Sequence, residues 1–210
     1  MGCRYRAGSA RPFSATRASA MTAAFASFAA LRAEALECTR CPLAPTRTHV
    51  VFGVGDEHAD LMFVGEGPGA EEDRTGEPFV GRAGKLLTSL IGDIGLTRAD
   101  VYIANVVKCR PPGNRDPHPV EIEACRPYLE AQIGFIAPRV VVTLGNFATK
   151  LLLDTKVGIT KLRGTHQPFR DGAVVIPVLH PSAVLRNGGA ALAQARADFV
   201  IIGRALAAAS

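Results

Sequence analysis

Asp60-Leu-Met-Phe-Val64 is a short apolar run that stops at Gly65-Glu-Gly-Pro-Gly69. The run has the length of a strand rather than a helix, and the glycines that end it suit a buried strand entering a tight loop. Outward from it the same pattern recurs. Val101-Tyr-Ile-Ala-Asn-Val-Val107 reads as a second buried strand and Arg139-Val-Val-Val-Thr-Leu144 as a third that ends at Gly145. Val174-Val-Ile-Pro-Val-Leu179 is the fourth, ending at His180-Pro-Ser182. Between and beyond the strands, residues 83–94, which alternate with helical period, and residues 119–136, 146–153 and 190–208 read as helices. Ahead of the first strand, Thr22 to Glu37 sets Phe25, Phe28, Leu31, Ala35 and Leu36 on one helical stripe. Strands alternating with helices predict an α/β fold with a mostly parallel sheet covered on both faces.

In such sheets ligands bind where the carboxyl ends of the strands open into loops. Glu66, Asn105 and His180 lie within or at the ends of three different predicted strands, so all three can converge on one crevice. Singly, an Asn in a strand or a His after one is ordinarily structural. Their joint placement is what points to a site.

A chain of 210 residues, 48% of them apolar, is sized for one core, and a single domain over residues 21–210 is expected. No apolar run approaches the ~20 residues of a bilayer span. The formal charge of +5 suggests a polyanion as partner, yet Arg4, Arg6, Arg11 and Arg17 all lie in the first twenty residues, which contain no acid. Without them the chain is close to neutral, so any surface for a polyanion must be a local patch. Residues 1–20 read as a disordered or non-native extension, with Met21 as an alternative start; an organelle address is the lesser reading. A cytoplasmic location is expected.

Cys38-x2-Cys41, Cys109 and Cys125 form a set of four, with Cys3 left in the extension. With no secretory signal and a large core, a metal site is favoured over a disulfide framework, and inert thiols remain the alternative. Structural zinc sites usually pair two short knuckles, whereas here only Cys38/Cys41 is one. Spacing therefore favours an iron–sulfur cluster over zinc, with Pro42 and Pro111 stiffening the ligand loops.

Gly65-Glu-Gly-Pro-Gly-Ala-Glu-Glu-Asp73 is followed by Gly76-Glu-Pro-Phe-Val-Gly-Arg-Ala-Gly84, and the last third carries His180-Pro-Ser-Ala-Val-Leu185. The reading as a phosphate loop fails, because no Gly-Lys-Ser/Thr follows Gly69 and Gly84-Lys85 leads into Leu, which leaves a nucleotide triphosphatase as a lesser alternative. With the four cysteines and Lys108-Cys-Arg-Pro-Pro-Gly-Asn-Arg115, these motifs closely resemble the family 4 iron–sulfur uracil-DNA glycosylases over about residues 36–205. The resemblance implies a three-layer α/β/α sandwich around a four-stranded, mainly parallel sheet. It implies a monofunctional glycosylase, binding uracil-containing DNA, single- or double-stranded, as a monomer with no membrane attachment. Its cofactor is a [4Fe–4S] cluster on Cys38, Cys41, Cys109 and Cys125. A non-catalytic iron–sulfur DNA-binding module of the same fold is the competing reading.

By the same resemblance Phe79 stacks on uracil and Asn105 reads its Watson–Crick edge, as an extruded base requires. His180 is the donor for the negative charge that develops on uracil, assisted by backbone N–H groups of Gly67 and Gly69. Glu66, then Glu72, are the candidates for orienting water or stabilising the sugar cation, with Asp73 beside them. Arg110, Arg115, Arg163, Ser182 and Arg186 are candidate phosphate contacts, and Leu185 is placed to wedge into the stack. Relatives that cross-link to uracil carry an Arg-rich insertion with a reactive His and lack the cysteine after the Asn strand. This chain keeps Cys109, has no insertion and holds His118 in a proline-flanked loop, so turnover is expected.

Overall fold

The computed structural model describes residues 24–208. The extension at 1–20, Cys3 and the first residues of the helix expected from Thr22 lie outside them. Within them that helix, α1, runs Phe28–Leu36, because the side chain of Ser27 accepts the Ala30 N–H and caps it there.

The chain continues β1 (Val54–Gly55), β2 (Leu61–Gly65), α2 (Ala70–Thr75), α3 (Arg82–Gly92), β3 (Tyr102–Asn105), α4 (Pro119–Ile136) and β4 (Val140–Leu144). Then come α5 (Asn146–Leu153), α6 (Ile159–Leu162), β5 (Gln167–Pro168), β6 (Val174–Val178), α7 (Pro181–Asn187) and α8 (Gly189–Ala208). The strand order is β1-β3-β2-β4-β6-β5. The expected four strands form the parallel centre, with Phe63 paired to Ile103 on one side and to Val142 on the other. The sheet has six strands rather than four, because β1 and β5 add antiparallel edges. Each edge is two residues long, too short for an alternating pattern, and Gly55 and Pro168 break it further.

Successive strand residues point to opposite faces, and both faces are covered. Met62, Val64, Tyr102, Ala104, Val141 and Val175 pack under α1, α4 and α5. Leu61, Phe63, Ile103, Val142 and Ile176 pack under α3, α7 and α8, where Phe63 stacks on Phe199 at 5.8 Å. The layers are therefore α/β/α. From β2 the chain crosses to β3 on one side and later to β4 on the other, so the loops after β2 and β4 diverge. A crevice opens there, at the carboxyl ends of the strands.

Candidate active site

Asn105 is the last residue of β3 and is 1% exposed, yet its side-chain oxygen has no hydrogen-bond partner. A buried acceptor left unpaired costs about 1–3 kcal/mol unless a ligand completes it. Gly65, its register partner at the end of β2, explains how the amide fits. A Cβ there would lie 2.4 Å from the Asn105 oxygen and 2.6 Å from the Phe79 ring, so only glycine lets these two side chains meet.

Phe79 has φ +55, a left-handed conformation unfavourable for an aromatic residue. Two side chains hold it. Arg98 donates to the carbonyls of Pro78 (2.8 Å) and Phe79 (3.2 Å), while Glu72 accepts the N–H groups of Val80 (3.0 Å) and Gly81 (3.1 Å). The other Glu72 oxygen accepts the Gly69 N–H at 3.1 Å. Two of the expected roles thus change. Both oxygens of Glu72 are occupied in building the loop, and the Gly69 N–H is given to Glu72 rather than presented to a ligand. Asp73 is likewise buried and holds the Thr48 N–H at 2.9 Å. Gly67 remains on the cavity wall.

His180 caps α7. Its Nδ1 accepts the Ser182 N–H at 3.1 Å and lies 2.8 Å from the Ser182 hydroxyl, which leaves the ring proton on Nε2. Burial, aided by Arg186, pushes its pKa down to about 4, so the ring is neutral and a donor at neutral pH. Gly145, at φ +92, gives it room: a Cβ there would sit 2.8 Å from the His180 Cβ. The imidazole tilts beside Phe79, ring centroids 5.9 Å apart.

Glu66, Gly67, Phe79, Asn105 and His180 line one cavity of about 410 Å³. A second, of about 620 Å³, shares Glu66, His180, Ser182 and Arg186 with it and extends along α5 past Phe147 and Lys150. Burial pushes Glu66 up to about 7, and the neighbouring Asp116 carboxyl adds to the shift. A further cavity of about 550 Å³ lies at the opposite end of β4 and β6, and none of the sequence-predicted site residues lines it.

Of the expected phosphate contacts, Arg186 lines both cavities and is exposed. Arg115 lines the smaller one, but its guanidinium is bound to Glu121 at 2.7 and 2.9 Å. Arg110 donates to Asn114. Arg163 is not brought to the cavities: it is committed to Asp198 and the Gln194 carbonyl against α8. Leu185 is 43% exposed on α7, next in sequence to Arg186, and lines neither cavity. Sequence reasoning missed Asp116, Arg98 and Lys150. Only Lys150 left a trace, at helical spacing from Asn146 on the face of α5 that lines the cavity.

Cys38, Cys41, Cys109 and Cys125 are all free thiols and line a single small cavity walled by Arg47, Lys108 and Tyr128. Burial pushes the Cys109 and Cys125 thiols up to about 11 and about 12, against the pull of Arg47 and Lys108. Among the described residues no group of three such side chains closes on a single metal ion.

Residues 52–203 match the family model of the uracil DNA glycosylase superfamily. The chain is 55% identical over 152 residues to a type-4 uracil-DNA glycosylase of Thermotoga maritima, covering 72% of this chain and 79% of that one. It is 50% identical over 159 residues to the type-4 enzyme of Archaeoglobus fulgidus, covering 72% and 80%. To a type-5 uracil-DNA glycosylase of Thermus thermophilus the identity is 37% over 138 residues, covering 59% and 61%. Matched at this identity over most of both chains, and carrying a cavity built from the motifs that define its sequence, this chain belongs to the type-4 branch of the uracil-DNA glycosylase superfamily.

Proposed function

We propose that the chain hydrolyses the N-glycosidic bond of a deoxyuridine flipped out of DNA, releasing uracil and leaving an abasic site. The observation that carries this is the unpaired, buried Asn105 oxygen beside Phe79 and a neutral, donating His180. Uracil offers N3–H and O4 on one edge, which an amide matches with its oxygen and its NH₂; cytosine offers the reverse pattern. The face of Phe79 replaces the stacking lost on extrusion. As the bond breaks, electron density collects on uracil O2, and the Nε2 proton of His180 supplies the donor without first having to lose a charge. Glu66, beside Asp116, is the carboxylate that orients water and offsets the charge developing on the sugar. Arg186 and Lys150 are the cations that meet the strand on either side.

The four cysteines fit a [4Fe–4S] cluster. They line one cavity, and four thiolates around a single cavity are the donor set a cube requires. Bound, the cluster ties the end of α1 to the segment after β3; hydrolysis needs no electron from it.

Single-turnover release of uracil from an oligonucleotide with one deoxyuridine tests the reading. Protein that binds this DNA and shows cluster absorbance, yet releases no uracil, would overturn it in favour of a non-catalytic iron–sulfur DNA-binding module.

A further inference from the structure

Lys108 is only 1% exposed, and its ammonium meets no carboxylate among the described residues. Nζ donates to the backbone carbonyl of Asn105 at 2.9 Å and to the side-chain oxygen of Gln132, and it lies 6.0 Å from the centre of the Phe52 ring. Gln132 is itself fixed, donating to the Phe52 carbonyl (2.9 Å) and the Tyr102 hydroxyl (3.2 Å). Three neutral partners solvate the ammonium but do not balance it, and a buried charge without a counter-charge is strongly disfavoured.

With a cluster bound, the cysteine cavity, whose wall includes Lys108, brings negative charge to its side. Its backbone N–H donates to Cys125 Sγ at 3.2 Å, and the next residue is Cys109. The same short segment is held along its length. Val106 and Val107 donate to the carbonyls of Gly65 (2.9 Å) and Glu66 (3.1 Å), and the Lys108 carbonyl accepts from Val51 at 2.8 Å. Asn105 at one end faces the base cavity and Cys109 at the other faces the thiols.

We propose that Lys108 is a positioning residue joining the two sites: its ammonium balances the thiolate charge of the cluster and, through the Asn105 carbonyl, fixes the backbone from which the base-reading amide projects. This rests on the cluster and uracil readings above. The Asn105 oxygen lies in the space that the missing Cβ of Gly65 leaves open, 2.4 Å from where that atom would stand, so its place depends on the backbone from which it projects. A small displacement of a positioning group is expensive in rate.

Lys108→Met keeps the stem and removes the charge. All four thiolates remain, so iron and sulfide content per chain should match the wild type. The cluster's midpoint potential should move to more negative values, because loss of a nearby positive charge favours the oxidised state. Single-turnover uracil release should fall by about tenfold or more, with affinity for uracil-free DNA unchanged. Lys108→Arg, which retains the charge, should return the potential toward the wild-type value. Gln132→Leu removes one acceptor and leaves the ammonium, and it carries the test should Lys108→Met not fold: release should fall while the potential stays. A wild-type potential in Lys108→Met overturns the charge-balancing role. Wild-type release in either variant overturns the positioning role. Wild-type protein without iron refutes the cluster reading itself, and the iron and sulfide assay reports this before any variant is compared.

Discussion

The Phe79 and His180 rings stand 5.9 Å apart, centroid to centroid, at an interplanar angle of 37°. A base held between two rings needs about 7 Å, twice the ~3.5 Å of a good carbon contact. Uracil therefore does not fit between them. On the proposed reading it lies on the face of Phe79 and turns an edge toward His180, the first serving as a stacking surface and the second as a donor to a ring oxygen. That geometry divides binding from charge stabilisation between two residues, and the division can be measured.

Phe79→Ala removes the stacking face, worth about 1–3 kcal/mol per base, so uracil release at low substrate should fall by about 5- to 150-fold. Stability carries a second signature. Because φ at position 79 is +55, a residue without a Cβ adopts it more easily than alanine. Phe79→Gly should thus melt at a higher temperature than Phe79→Ala, although both lose the buried ring. An equal or reversed order would show that the backbone relaxes once the ring is gone.

Glu66 should set the pH dependence. Its pKa is raised to about 7 by burial and by Asp116, so the ionised form that orients water accumulates only as pH rises through that value. His180, neutral above about 4, adds no limb in this range. Single-turnover release should therefore climb between about pH 6 and 8 and then level off. In Glu66→Gln the limb should vanish and the rate fall by about 10²-fold, the lower end of a general-base contribution. Stability runs the other way. A carboxyl whose folded pKa lies above its unfolded one stabilises at low pH, and that contribution is lost as pH rises through about 7. Glu66→Gln should flatten this slope, and a limb persisting in that variant would move the role to Asp116.

How far the site was legible depended on what kind of signal each residue leaves. Asn105 and His180 stand at the ends of apolar runs, and the alternation of strands with helices is enough to bring such ends together. Gly65 and Gly145 punctuate the same runs, and their need to be glycine shows only when Asn105, Phe79 and His180 are seen to crowd them. Asp116 sits in a proline-flanked loop with no periodicity, and its nearness to Glu66 comes from the path between β3 and α4. Glu72 shows the opposite failure. Its place in a glycine loop looks the same for a catalytic carboxylate as for one that binds three backbone amides, and hydrogen-bond partners alone separate the two. Arg163 was misjudged in the same way, since sequence gives its charge but not that it is spent on Asp198.

Glu72→Gln should separate scaffold from chemistry. One oxygen becomes an NH₂ facing backbone N–H groups, so at least one amide loses its acceptor, at a cost of about 1–3 kcal/mol. In a domain of this size each kcal/mol lowers the melting midpoint by about 2–4 °C. Uracil release should fall as the loop carrying Phe79 loosens, yet the rise in rate between pH 6 and 8 should survive, unlike in Glu66→Gln. Wild-type melting with a lost pH limb would return Glu72 to a catalytic role.

Asn105 and His180 should fail differently, because one identifies the base and the other meets charge that exists only as the bond breaks. Asn105→Asp keeps the shape but loses the NH₂ that donates to uracil O4, and it puts an acid where the native amide is 1% exposed. Binding of uracil-containing DNA and discrimination against cytosine should both suffer. His180→Ala leaves the amide and the Phe79 face in place, so DNA affinity should change little. The single-turnover rate should drop by about 10²–10³-fold, the usual effect of removing one donor to a developing oxyanion. Loss of the ring also frees the Ser182 N–H it accepted, and serine at 180 offers a control that can recapture that hydrogen bond. His180→Ser should melt above His180→Ala and release uracil no faster. If His180→Ala instead works at the wild-type rate, the donor to O2 is not the imidazole, and the backbone amides around Gly67 must carry the charge alone.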